Sequence, residues 1–142
     1  MYISDAKRLT TEGARKIKNA AVKAAEKAGI PITVAVVDAG GHLLVLERMD
    51  GGKFHSVHSA TTKAVCAASN KRNTGSTGAV GQSLDVLHAL GLALAAGPER
   101  WTAMEGGCPI TAGTECIGGV GVAGGNWEFD EKVAREAVEA IK

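Results

Sequence analysis

The chain has 142 residues, 45% of them apolar and 22% charged, with a formal net charge of +1. That length gives one domain spanning residues 1–142 with a sizeable core, and the near-zero balance argues against nucleic acid or an anionic membrane as a partner. Only 4% is aromatic and 19 residues are glycine, so the core must be filled by small aliphatic side chains and its elements must approach closely.

Ser4 is a suitable helix N-cap, and Asp5 after it favours the positive end of a helix dipole. From there Ala6, Leu9, Gly13, Ile17, Ala20, Ala24 and Ala28 recur at steps of three and four, which predicts an amphipathic helix ended by Gly29 and Pro31. The segment MYISDAKRL has no basic region followed by an apolar core, so no signal peptide is expected there.

The stretch Pro31–Asp50 organises the rest. Two strand-like runs, Ile32–Val37 and Leu43–Leu46, flank Asp38-Ala39-Gly40-Gly41-His42. β-Branched residues favour extended backbone and Gly-Gly supplies a tight reversal, so the stretch reads as a β-hairpin. Phe54–Ser69 is helical in pattern, with Val57, Ala60, Thr61, Ala64, Val65 and Ala68 as its apolar face. His55, Ser59, Thr62, Lys63 and Cys66 form the adjoining stripe. A polar loop, Asn70–Gly78, precedes a third helix over Val80–Ala96, in which Leu84, Leu87, Leu90, Gly91 and Leu94 are expected to face inward. His88 on that helix reads as structural. Trp101–Met104 reads as a short strand, Glu105–Ile110 as a turn into another, and Cys116–Ala123 as a Gly-rich apolar strand either buried on both faces or crossed closely by a helix. A last helix is expected over Phe129–Ile141. Strands grouped in hairpins, with helices packed on them, make an α+β layer fold with an antiparallel sheet.

Gly119-Val-Gly121-Val-Ala-Gly124 matches GxGxxG literally. A dinucleotide site needs a further strand after the ensuing helix and an acidic residue about 20 positions on, on such a strand. The sequence supplies neither, so the glycines read as packing residues. Cys66, Cys108 and Cys116 are odd in number and lack CxxC spacing; reduced thiols and a cytoplasmic setting are expected. No apolar run approaches a membrane span.

Several residues can carry chemistry, each beside a plainer reading. His55 and His58, three apart on one helix, share a face, yet lack a clear third metal donor beyond His42 or Glu105, so no metal site is assigned. Lys63, in a helix of small residues, either pairs with Asp38 or Glu47 or anchors a substrate carboxylate. Asp38 and His42 either stabilise the hairpin turn or act as an acid–base pair. Arg48 either clamps a carboxylate or lines an exposed strand. Glu105-Gly106-Gly107 is an ordinary turn or an anion nest. Ser59 and Thr62 offer hydroxyls to a ligand.

The stretches Ile32–Asp50 (ITVAVVDAGGHLLVLERMD), Ala60–Ala68 around Thr62-Lys63-Ala64, Gly106-Gly107-Cys108-Pro109-Ile110 and Ile117–Gly125 (IGGVGVAGG), followed by Asp130-Glu131, resemble the GlcG/HbpS-like family, which includes the C-terminal domain of PduO-type proteins. The resemblance implies a profilin-like α/β/α layered domain with a central antiparallel sheet of about five strands. It implies a homo-oligomer, dimers building to octamers, and a small-molecule ligand, either haem or another tetrapyrrole or a small carboxylated metabolite. PduO-like members are thought to use a His of the first helix for haem, and this sequence has none there; it carries His55 and His58 on the second. Two other readings stand beside ligand binding. One is an enzyme, a hydrolase, deaminase or isomerase of a small carboxylic acid, in which Lys63 or Arg48 anchors the acid and His42 or His55 moves a proton under the influence of Asp38 or Glu105. The other is an accessory or structural protein.

Overall fold

The computed structural model describes residues 1–142. Its elements run α1 (Thr11–Ala28), β1 (Thr33–Asp38), β2 (Leu43–Arg48), α2 (Ser56–Asn70), α3 (Val86–Ala96), β3 (Gly107–Ala112), β4 (Glu115–Ala123) and α4 (Trp127–Ala137), closed by a 3₁₀ turn over Val138–Ile141. The four strands form one antiparallel sheet in the order β2-β1-β4-β3. The α+β layer architecture expected from the sequence is present.

The central strands decide the layering. Val34 to Val37 of β1 are fully buried, and strand alternation sends them to opposite faces. Ile32, Val34 and Val36 join Val120, Val122 and Ile110 in a core covered by Ala14, Ile17, Ala21 and Ala25 of α1 and by Val133, Ala134 and Ala137 of α4. Ala35, Val37 and Ala123 face the other way, onto Ala60, Ala64 and Ala68 of α2. That second interface is thin because Gly119 and Gly121 of β4 lie under the carbonyls of Ala64 and Ala60; a Cβ at either glycine would overlap those oxygens. The Gly-rich strand therefore lets a helix backbone rest almost directly on a sheet backbone.

Five expectations are corrected. The first helix starts at Thr11, where the Thr10 hydroxyl caps Gly13 N–H at 3.1 Å, and not after Ser4. Its buried stripe, Ala14, Ile17, Ala21 and Ala25, shares Ile17 with the expected one and is otherwise moved by about one position, because alanines occupy both series. Trp101–Met104 is not a strand, although Trp101 is buried. The third helix begins at Val86, with the Asp85 side chain accepting from His88 N–H at 2.8 Å. None of its residues is buried, and Leu87, Leu90 and Leu94 are 76%, 54% and 70% exposed. No helix is long and apolar enough to cross a membrane.

Candidate functional site

The site grows from the first two turns of α2. Because Ala60 and Ala64 seat the helix on β4, Lys63, one residue from Ala64, is carried down beside the sheet and is only 3% exposed. Its Nζ donates to the carbonyl oxygen of Val122 at 2.9 Å and meets Asp130 Oδ2 at 3.4 Å. Asp130 stands in the first turn of α4, also 3% exposed, and its Oδ1 accepts the Gly125 N–H at 2.9 Å. The pair is thus a buried ammonium and carboxylate whose remaining hydrogen-bonding capacity is largely met by backbone, the condition under which such a pair is tolerated. Burial lowers the Lys63 pKa against the opposing pull of the Asp130 and Glu105 charges. Burial likewise raises the Asp130 pKa despite Lys63 and the N–H groups of Gly125 and Gly124. Both shifts favour the neutral forms. Gly106, at φ +121°, leaves room for this arrangement: a Cβ there would lie 3.0 Å from Lys63 Nζ.

Two hollows meet at Ser59, Lys63 and Met104. The smaller, about 160 Å³, lies between the beginnings of α2 and α4 and is lined by Lys53, His55, Ser56, Gly124, Gly125 and Asp130. The larger, about 350 Å³, has His58 and Thr62 of α2 on one side, with Ala89 and Ala93 of α3 and Pro98, Trp101 and Ala103 completing it. One is polar and small; the other is broad, with several apolar walls.

The structure thus brings together His55, His58, Ser59, Thr62 and Lys63, with Glu105 and Gly106 close to the Lys63 ammonium. The Gly107 N–H donates to Thr74 Oγ1 at 2.8 Å, so that donor is spent within the chain and not offered to an anion. Asp38 and His42 lie elsewhere, at the turn end of the hairpin. Asp38 Oδ1 accepts from Gly40 N–H at 2.9 Å and His42 N–H at 3.0 Å, and His42 Nδ1 is 3.3 Å away. Burial works to raise the Asp38 pKa, but those donors and the imidazole outweigh it and the carboxyl is lowered. The adjoining hollow there, about 300 Å³, is formed with Ala39, Gly40, Gly41, Val65 and Ser69 and holds neither residue. Arg48 is exposed at the end of β2. Glu47 pairs with Lys18 at 2.9 Å, so neither carboxylate expected opposite Lys63 is its partner. Asp130, quoted above only within the family resemblance, and Trp101 and Met104, read above as part of a strand, line these hollows without having been expected there. For Asp130 the signal was its place in the turn after Gly124-Gly125-Asn126, with Asn126 capping α4. No cluster of three or more His, Cys, Asp or Glu is placed to hold a metal ion.

Comparison with known proteins agrees with this architecture over nearly the whole chain. GlcG of Escherichia coli K12 is 30% identical over 115 residues, 81% of each chain. A double mutant of Streptomyces reticuli HbpS superposes with a TM-score of 0.82 at 35% identity, covering 99% of this chain and 91% of that one. A PduOC:heme complex superposes with a TM-score of 0.83 at 30% identity, covering 96% of each. Residues 9–139 match the family described as haem degrading protein HbpS-like. With the sheet order, the glycine-seated helix and these matches in agreement, the chain belongs to the HbpS-like family.

Proposed function

We propose that this protein binds haem or a related tetrapyrrole in the larger hollow, as a homo-oligomer. The observation that carries the reading is the pairing of His58 and Met104 on the lining of one groove whose other walls are Ala89, Ala93, Pro98 and Trp101. Imidazole and thioether are iron ligands of haem proteins, and small apolar walls suit the macrocycle's faces. The Thr62 and Ser59 hydroxyls lie where propionates can be hydrogen-bonded. The family's description and the PduOC:heme complex support the ligand class. The absence of a His from α1 moves the expected ligation to α2.

The exposed face of α3 supports the oligomeric part of this reading. This helix contributes Ala89 and Ala93 to the groove while Val86, Leu87, Leu90 and Leu94 remain exposed. A contiguous apolar helix face of that kind marks an interaction surface. A second copy on it would close the groove from outside, and dimers assembling into larger rings fit the family resemblance. The free thiols of Cys66, Cys108 and Cys116 support a reducing, cytoplasmic setting.

Titration of haem into the purified protein tests the reading. A shifted Soret band is expected, and His58→Ala is expected to weaken binding by about tenfold or more, roughly 1.4 kcal/mol. No Soret shift with the unmodified protein would overturn it.

A further inference from the structure

The smaller hollow has a chemistry that haem binding does not use. Taking about 30 Å³ per water as a measure, its volume of about 160 Å³ admits a molecule on the order of five heavy atoms. A tetrapyrrole cannot enter. Its lining includes both members of the Lys63–Asp130 pair, whose Nζ lies 2.9 Å from Val122 O and 3.4 Å from Asp130 Oδ2. Its rim carries two further basic side chains, Lys53 and His55, and both α2 and α4 begin beside it. The rim therefore attracts a carboxylate while the pair presents an amine with an acid–base partner.

We propose that Lys63 forms an imine with a small 2-oxo acid bound in this hollow, with Asp130 moving the protons. The ammonium first passes a proton to the Asp130 carboxylate. The freed Nζ lone pair attacks the carbonyl carbon, the C=O π pair goes to oxygen, and a proton shifts from nitrogen to that oxygen to give the carbinolamine. Protonated Asp130 then returns its proton to the hydroxyl, which leaves as water as the nitrogen lone pair forms C=N. Ammonium and carboxylate have become iminium and carboxylate, with one water released and no oxidant or reductant consumed. The pair's charge is the same before and after, so a buried site sustains the change without a new uncompensated ion. Burial lowers the Lys63 pKa and raises that of Asp130, which favours the opening proton transfer.

The test is reductive trapping on the full chain with pyruvate and sodium cyanoborohydride at pH 7, read by peptide mass mapping. An exposed lysine there is neutral to only about one part in 10³, so indiscriminate labelling is slow. The expected result is a reduced pyruvyl adduct on Lys63 exceeding that on exposed Lys23, Lys27 or Lys71 by about tenfold or more. Equal labelling of these lysines, or no adduct on Lys63, would overturn the proposal. Ser59→Met fills the hollow and leaves the ion pair intact; it should abolish Lys63 labelling while the exposed lysines are unchanged, and undiminished labelling would exclude the hollow as the entry. Acetone in place of pyruvate should label Lys63 far less, and equal labelling would remove the carboxylate from the recognised class. Haem binding is read separately by absorbance, so the two results do not stand in for one another.

Discussion

Breaking the Lys63–Asp130 pair one partner at a time should destabilise the fold far more than replacing both. The Lys63 and Asp130 side chains are 3% and 4% exposed, so water cannot take over from a missing partner. A buried ion left uncompensated costs about 3–5 kcal/mol. For a domain of this length 1 kcal/mol moves the melting temperature by roughly 3–5 °C, so Lys63→Met is expected to lower it by about 10–20 °C at pH 7. Asp130→Asn keeps an oxygen for the Gly125 N–H and isolates the loss of charge; Lys63 can shed its proton there, so a cost of about 2–4 kcal/mol is expected. The double variant Lys63→Met/Asp130→Asn holds no buried charge and should fall short of the summed singles by about 2 kcal/mol or more. Urea denaturation with linear extrapolation gives each value. The pH dependence supplies a second arm. In Lys63→Met the Asp130 carboxyl, already raised by burial, loses its cation and rises further. A carboxyl whose folded pKa exceeds its unfolded value contributes stability that is full below the unfolded pKa and is lost as pH rises through the folded pKa. Lys63→Met should therefore recover stability relative to the unmodified protein between pH 7 and about pH 4. Single variants costing under about 1 kcal/mol, or strictly additive costs, would refute the description of the pair as buried and coupled.

Gly121→Ala places a methyl on the Ala60 carbonyl oxygen and should cost about 3 kcal/mol or more, beyond ordinary overpacking because backbone must move; calorimetry showing a loss below about 1 kcal/mol would contradict the close seating of α2. Leu87→Glu/Leu94→Glu on α3 should leave the melting temperature of the subunit nearly unchanged and reduce the assembled mass by light scattering. An unchanged mass would remove α3 from the interface. Burial pushes the Cys108 thiol up to about 11 and also raises Cys66, so at pH 8 about one Cys108 in 10³ is thiolate. Iodoacetamide should modify the partly exposed Cys116 and spare both others, and rapid loss of the Cys108 thiol in peptide mapping would oppose this.

The layers were legible because the patterns that encode them are local. Alternation of buried residues in β1, the Gly-Gly turn, and small residues at helical spacing in α2 each leave a mark within a few positions. The register of α1 was not legible, since alanines at both Ala20/Ala24 and Ala21/Ala25 satisfy the same period. The leucines of α3 misled for a physical reason: apolar spacing reports that a face avoids water, not which surface covers it, and within the subunit nothing does. In the site, the row from His55 to Lys63 was readable from helical spacing alone. The partner of Lys63 was not, because it lies 67 residues on and its choice depends on how α4 returns over the sheet. Asp38 and His42 were drawn toward the site by their chemistry, but the strand between them and Thr33 carries them to the opposite end of α2.

The contact of α2 on Gly119 and Gly121 has a mechanical consequence. Two backbones in direct touch have no side-chain rotamers between them to absorb a displacement, so α2 can neither slide along β4 nor sink toward it without distorting main chain. The row His55, His58, Ser59, Thr62 and Lys63 is therefore held at a fixed height above the sheet before any ligand arrives. On the proposed reading a ligand meeting it would have little ordering of the protein to offset, and selectivity would reside in what approaches from outside: the length of Met104, the setting of Trp101 and the placement of α3. Divergence in ligand preference is consequently expected to concentrate in residues 86–104, with the glycine-seated helix acting as an unvarying rail.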